Sequence, residues 1–200
     1  MTTTSMVSSA TQPATSKTTV KRYHPALVSL HWIVAILIFA TVLFAGEEGE
    51  GGAALSLGGF PPIGIHMILG ITTLALLTIR LLVRWFTKHP NWASTGTPFL
   101  DLIGKLTHFG LYFFTFSITI TGIIMASQRG LLARVLGIGT AAARSFGSRG
   151  FGGFALGAFH GLSWSLLFLL ILLHIGAALY HQFFKKDNLL GRMWYGKQAE

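Results

Sequence analysis

The chain has no cysteine among its 200 residues. That absence excludes disulfides, thiolate-held iron–sulfur clusters, tetrathiolate zinc sites and the Cys-x-x-Cys-His sequence that attaches heme covalently. Acidic residues are also scarce, with six Asp and Glu against fifteen Lys and Arg. Histidine, methionine and a few carboxylates are therefore the candidate ligands for any metal.

Charged residues of either sign make up only 10% of the chain, whereas 52% of the residues are apolar. This composition lies far from that of soluble domains and predicts an integral membrane protein. A span needs about 20 apolar residues, so the length allows four helices with modest loops. The predicted fold is an all-α membrane protein, a four-helix transmembrane up-and-down bundle.

Four apolar segments are separated by polar, glycine-rich or proline-containing stretches. The predicted spans cover about 26–45, 63–83, 106–126 and 159–183. Residues 98–105 are expected to form a polar turn or amphipathic entry, and residues 127–157 a long Gly-, Ala- and Arg-rich loop with room for a short interfacial helix. A Ser/Thr-rich tail at 1–20 is expected to be disordered, the transmembrane domain to cover 21–195, and a short tail to follow at 196–200.

Basic residues predict the orientation of the bundle, because cytoplasmic loops carry an excess of Lys and Arg. Eleven lie in the tails, at the adjoining helix ends or in the second loop: Lys17, Lys21, Arg22, Arg80, Arg84, Lys88, Lys105, Lys185, Lys186, Arg192 and Lys197. The other four are Arg129, Arg134, Arg144 and Arg149. Both termini are therefore expected in the cytoplasm, with the first and third loops outside.

Eight histidines are many for so apolar a chain, and five lie in or at the mouth of predicted spans. Ionisable residues are costly there unless they serve a function. His160 and His174 are separated by about 21 Å along the fourth helix and lie at nearly the same azimuth. His31 matches the depth of His174 on the inner side, and His66 matches that of His160 on the outer side.

Two depth-matched pairs are what two bis-histidine hemes require, with one imidazole on each side of each iron. A lone intramembrane histidine is as often an interhelical hydrogen-bonding residue, but four in matched pairs favour two non-covalent b hemes. Filled axial positions favour electron transfer over oxygen binding. Small residues at Gly70, Gly161 and Gly176 are expected to allow close approach of a macrocycle or a neighbouring helix.

The other histidines are weaker candidates for ligation. His108, at the cytoplasmic mouth of the third helix, could replace an inner ligand, contact a propionate, line a quinone pocket or simply lie at the interface. His181 is expected at a solvated helix end, although it shares a face with His174. His24 and His89 precede prolines in loop-like sequence and are not expected to be ligands.

Several cations could contact an anionic group. Arg80, Arg84 and Lys105 are candidates for heme-edge or quinone contacts, while helix-end anchoring is the simpler interpretation. The four outer arginines could steer a small anion or an acidic partner, and loop solubility is the alternative.

Several short motifs resemble the bacterial cytochrome b561 family of four-helix diheme membrane cytochromes. They lie at the starts of the first and third helices and along the second and fourth. They are Arg22-Tyr23-His24-Pro25, Ser29-Leu30-His31-Trp32, Ile65-His66 with Gly70, Arg80-Leu81-Leu82-Val83-Arg84, Lys105-Leu106-Thr107-His108, His160, Leu173-His174-Ile175-Gly176-Ala177-Ala178-Leu179-Tyr180-His181 and Lys185-Lys186-Asp187-Asn188.

The resemblance covers about residues 20–195 and implies heme b, a bacterial inner (plasma) membrane location and electron exchange with the quinone pool. It also implies His31/His174 and His66/His160 as the axial ligand pairs, in agreement with the depth argument. The third loop departs from the family pattern, which leaves its substrate contacts open.

The sequence thus predicts a diheme electron-transfer protein between an outer donor or acceptor and membrane ubiquinone. Superoxide is one candidate outer reductant, and an outer redox protein is another. One alternative is the membrane-anchor cytochrome b subunit of a hydrogenase or dehydrogenase. A remote alternative is a histidine-based metal transporter, which the shortage of membrane carboxylates disfavours.

Overall fold

A computed structural model describes residues 22–45, 61–92, 94–136 and 151–195. In these ranges the chain is helical, with irregular connections and no strand. The predicted tails at 1–20 and 196–200 and the acidic first loop lie outside the described residues.

Six α-helices and one π-helical turn follow one another in the described ranges. They are α1 (Pro25–Leu43), α2 (Pro62–Phe86), α3 (Pro98–Gln128), α4 (Leu131–Leu136), α5 (Phe151–Tyr180), the π-helical turn (His181–Lys185) and α6 (Leu189–Arg192). Helices α1, α2, α3 and α5 with the π-helical turn are long and apolar enough to cross a membrane. The predicted all-α fold with four transmembrane helices is confirmed.

Three of the long helices begin at a proline, because the first helical residue needs no backbone donor. At α1 the ring of His24 adds a cap, since its Nδ1 accepts a hydrogen bond from the Ala26 amide at 3.2 Å. The C-terminal end of α5 differs. There the π-helical turn ends at Lys185, and the backbones of Lys186 and Asn188 that follow are left-handed, with φ of 55° and 51°.

The structure revises two predicted boundaries. Residues 98–105 are the first turns of α3, not a separate entry, because Pro98 opens the helix and Asp101 accepts hydrogen bonds from the Ser94 hydroxyl and Thr95 amide. Helix α5 begins at Phe151, eight residues before the expected start. The short helix predicted for the third loop corresponds to α4.

Each long helix exposes most of its apolar surface. Only 17% of the most apolar stretch of each span is buried within the protein. Exposed side chains such as Ile36, Phe113 and Leu169 would be unfavourable in water but are well solvated by lipid. The four helices therefore form a bundle whose outer surface faces hydrocarbon.

The helices run alternately up and down, and the closest packing joins α3 to α5 and α1 to α2. At Gly110 the α3 backbone lies so close to α5 that an added Cβ would be 2.7 Å from a Leu170 methyl. A Cβ added at Gly70, Gly161 or Gly176 would meet no described atom within 4 Å. These glycines are therefore not at close helix contacts, and their approach to a macrocycle stays a prediction. In contrast, α5 is not closely packed on α1 or α2.

Candidate heme-binding sites

Two pairs of histidines lie at opposite ends of the bundle. The terminus-side pair, His31 on α1 and His174 on α5, has its ring centroids 6.1 Å apart. The loop-side pair, His66 on α2 and His160 on α5, has a separation of 6.4 Å. Helix α5 carries one histidine of each pair, and α1 and α2 carry the others. Because α5 is not closely packed on α1 or α2, the two imidazoles of each pair face each other across a gap.

These separations can be compared with the geometry of a six-coordinate iron. Two imidazoles that held one metal ion between them, each at about 2 Å, would have their ring centroids about 6 Å apart. The ring planes are inclined by 73° and 59°. Two axial rings can differ in this way because each is free to rotate about the iron–nitrogen axis. Both pairs therefore fit a bis-histidine heme.

Hydrogen bonds orient both rings of the loop-side pair. His66 Nδ1 lies 2.9 Å from the carbonyl of Thr41, and His160 Nδ1 lies 3.1 Å from Thr121 Oγ1. A carbonyl only accepts, and the Thr121 hydroxyl already donates to the Ser117 carbonyl at 2.7 Å. Each Nδ1 is thus the donor, which leaves Nε2 unprotonated for a metal.

A cleft adjoins the loop-side pair. Its volume is about 140 Å³, and both His66 and His160 line it. Gly70 lines it, where a larger side chain would occupy the space. At Gly122 an added Cβ would lie 3.2 Å from His160 Cε1, so glycine allows this ring to pack against α3. Arg129 lines the cleft and is exposed.

Aromatic contacts surround the terminus-side pair. His108 is a third imidazole, with its centroid 4.9 Å from that of His174, and Trp32 lies 5.3 Å from His31. Within residues 22–45, 61–92, 94–136 and 151–195, neither His31 nor His174 has a hydrogen bond to its ring. These rings are therefore positioned by packing.

Two arginines lie near the terminus-side pair. Arg80 donates a hydrogen bond to the Tyr112 hydroxyl, and its guanidinium also lies 5.4 Å from the Tyr112 ring. The buried Nε of Arg80 has no hydrogen-bond partner among the described residues, so it could donate to a propionate. Arg84 stacks over Trp92 at 5.7 Å, whereas Lys105 is exposed on α3.

The remaining predicted candidates lie outside the two pairs. His24 caps α1, and His89 Nδ1 lies 3.3 Å from the carbonyl of Pro90. The expectation of a solvated His181 was wrong. That residue is 6% exposed and its Nδ1 lies 2.6 Å from Asp187 Oδ2, beyond the left-handed Lys186 that follows the π-helical turn.

The four outer arginines are described only in part. The Arg134 side chain, Arg144 and Arg149 lie outside what the structure describes. For the metal-transporter alternative, no three His, Asp or Glu side chains within the described ranges are close enough to hold a metal ion.

Several contacting residues were not predicted from the sequence. They are Thr41, Thr121, Gly122, Trp32 and Tyr112. Their roles arise from contacts between helices, and no short-range spacing indicates them. Trp32 alone had a local signal, since it directly follows His31.

A membrane-spanning four-helix bundle with histidine pairs facing each other near both ends defines the class of membrane b-type cytochromes. The sequence profile described as "Prokaryotic cytochrome b561" matches residues 22–196. The chain therefore belongs to the prokaryotic cytochrome b561 family. Membership implies b-type heme binding and membrane electron transfer, and with the four apolar helices it indicates an inner-membrane protein.

Curated relatives agree with the family. The chain is 30% identical to "Cytochrome b561 homolog 2" of Escherichia coli (strain K12) over 88% of this chain and 92% of the relative. It is 27% identical to "Probable superoxide oxidase CybB" of Yersinia pestis over 90% of this chain and 99% of the relative.

A third match is 32% identical to a "Glycerol-3-phosphate acyltransferase" of Fusobacterium nucleatum, over only 52% of each chain. A segment of that size in a 200-residue chain cannot contain both His31 and His174. This likeness therefore does not extend to the full histidine set.

Proposed function

We propose that the chain is a diheme electron-transfer protein, with His31 and His174 as the axial ligands of one heme b and His66 and His160 as those of the other. The observation that carries the proposal is the pair of ring separations, 6.1 and 6.4 Å, on helices that are not closely packed. Heme iron supplies one-electron chemistry by alternating between its ferrous and ferric states.

The orientation follows from charge. The excess of Lys and Arg at the terminus side supports a cytoplasmic location for that side and an outer location for the loop side. Electrons then cross the bilayer between the two sites, which α5 joins by a separation of about 21 Å along its axis.

The chain's own side chains position and tune the bound groups. Thr41 and Thr121 fix the tautomers of the loop-side ligands, while Arg80 places a positive charge beside the terminus-side ligands. His108, Arg84 and Lys105 are the candidates for contacts with a heme edge or with ubiquinone, the proposed membrane partner.

For the outer reaction we propose superoxide as the donor. The name of the Yersinia pestis relative suggests it, and Arg129 places a cation on the loop-side cleft. Two superoxide anions would each give up one electron and leave as dioxygen. One ubiquinone would take up both electrons and two protons and become ubiquinol. Positive charge at the cleft would raise the encounter rate with the anion.

The decisive experiment counts heme in the purified protein. A pyridine hemochrome assay should give two b hemes per chain, and His31→Ala and His66→Ala should each lose one. His89→Ala is a matched control, because His89 belongs to neither pair, and it should retain both. A colourless protein, or loss of both hemes in the control, would contradict the proposal. Stoichiometric co-purification of a soluble hydrogenase or dehydrogenase would instead favour a membrane-anchor subunit.

A further inference from the structure

The C-terminal segment, residues 189–195, packs against the entrance of α1. The Arg22 guanidinium donates to the Gly191 carbonyl at 3.2 Å, and the Tyr23 amide donates to the Arg192 carbonyl at 3.4 Å. Further along α1, the hydroxyls of Ser29 and Tyr195 are 2.5 Å apart. Three polar contacts thus join elements that are more than 160 positions apart in the sequence.

Trp32 lies at the centre of this contact. Its indole Nε1 donates to the Met193 carbonyl at 2.8 Å, and its ring meets Trp194 edge-on at 5.7 Å and 84°. The same indole lies 5.3 Å from the His31 ring at an inclination of 65°. Trp32 therefore touches the C-terminal segment and a proposed heme ligand at once.

This arrangement matters because His31 has no ring hydrogen bond to any described residue, unlike its loop-side counterparts. A ring without such a bond can rotate about its side-chain torsions until packing stops it. Trp32 follows His31 on α1, and its ring lies beside the imidazole. The hydrogen bond from Trp32 Nε1 to the Met193 carbonyl limits the motion of the indole. The orientation of His31 consequently depends on whether Trp32 is held.

We infer that the C-terminal segment is part of the terminus-side heme site, where it positions His31 through Trp32. The inference rests on the proposed function. Trp32 and Trp194 are positioning residues, because neither would bind the iron and both act through the His31 ring. A segment that served only to hold the bundle together would affect both hemes alike, whereas a positioning segment affects one.

The test uses electron paramagnetic resonance of the oxidised, heme-loaded protein, which separates the two low-spin signals. Their g values depend on the angle between the two axial imidazole planes, so a rotated His31 shifts only its own signal. His31→Ala and His66→Ala assign the signals. Trp194→Ala should shift the terminus-side signal and release that heme about tenfold faster, with the loop-side signal unchanged.

Two further variants sharpen the result. Trp32→Phe keeps an aromatic ring beside His31 but removes the bond to Met193, and it should shift the same signal. Trp85→Ala is the matched control, because Trp85 is 81% exposed on α2 near the same end of the bundle, and it should leave both signals in place.

The failures can be told apart. Two hemes per chain with an unshifted terminus-side signal in both Trp194→Ala and Trp32→Phe would overturn this inference alone. Equal changes in both signals would also overturn it, because they would indicate a general packing role. A wild-type protein without two low-spin hemes would overturn the proposed function on which it rests.

Discussion

The two ends of the bundle hold their histidine pairs by different means. At the loop side, both rings donate hydrogen bonds to acceptors on transmembrane helices, the Thr41 carbonyl and the Thr121 hydroxyl. At the terminus side, rings from α1, α3 and α5 pack edge to face, and a segment beyond the last span supports one of them. The first site is set by the membrane helices, and the second also depends on chain outside them.

The contacts at the two histidine pairs differ more in how closely they fix the ring angle than in how much free energy they contribute. A hydrogen bond contributes about 0.5–1.5 kcal/mol net, and an aromatic pair contributes a similar amount beyond its burial. A hydrogen bond fixes a tautomer and a ring angle, however, whereas edge-to-face packing tolerates a range of angles. We therefore expect the loop-side site to be rigid and the terminus-side site to be adjustable.

Gly122→Ala should break this comparison most severely. The added methyl would lie 3.2 Å from His160 Cε1, so the ring must shift by a few tenths of an ångström, which strains its hydrogen bond to Thr121. A rigid site cannot absorb the shift, and we expect loss of most loop-side heme with the terminus-side heme retained. The measurement is the hemochrome count together with the low-spin signals.

Gly104→Ala is the matched control for that substitution. It adds the same methyl on the same helix as Gly122, but the new Cβ would meet no described atom within 4 Å. It should retain two hemes. Full heme content in Gly122→Ala would mean that the loop-side site is as adjustable as the other.

Thr121→Val should have the next largest effect. It preserves shape but removes the acceptor for His160 Nδ1, leaving a donor without a partner in a largely apolar setting. Loss of such outer partners costs roughly 10–100-fold in metal affinity, so loop-side heme should be lost about tenfold or more faster to an acceptor protein. Thr115→Val, a buried threonine on the same helix without a histidine contact, should leave the rate unchanged.

Arg80→Gln should sharpen the comparison from the terminus side. Removing a cation near the proposed ligands stabilises the more positive ferric state, so the reduction potential of that heme should fall by tens of mV. The loop-side heme serves as the internal control in the same potentiometric titration. An unchanged potential, or equal shifts of both hemes, would show that Arg80 does not act locally.

Much of the fold was predictable because membrane spans are long and apolar. The four helices follow from composition, and the histidine pairing follows from the 3.6-residue period combined with up-and-down order. His160 and His174 share one helix, so their spacing alone predicted one imidazole near each end. In the structure the rings of the two pairs are 6.1 and 6.4 Å apart, and their ligation of heme stays a prediction.

The features that the sequence did not predict depend on contacts between segments that are distant in the chain. The acceptor at Thr121 and the space left by Gly122 are set by how α3 packs on α5, which no local pattern reports. His181 looked like a solvated helix end because Lys185 follows it. The π-helical turn and the left-handed Lys186 instead bring Asp187 back against its ring.

Arg129→Gln should give the smallest effect, and it tests the loop-side site as the entry for an anion. Arg129 lines the open cleft, so removing its charge should slow reduction by superoxide a few-fold at low ionic strength and flatten the salt dependence. The measurement is the rate of heme reduction after a superoxide pulse at two salt concentrations. Reduction by dithionite, added in excess at high salt, should be unchanged and serves as the control. Substituting Gln at Arg129, Arg134, Arg144 and Arg149 together extends the test. If rate and salt dependence were the same in all variants, superoxide steering by these arginines would be ruled out, while the heme pairing would still stand.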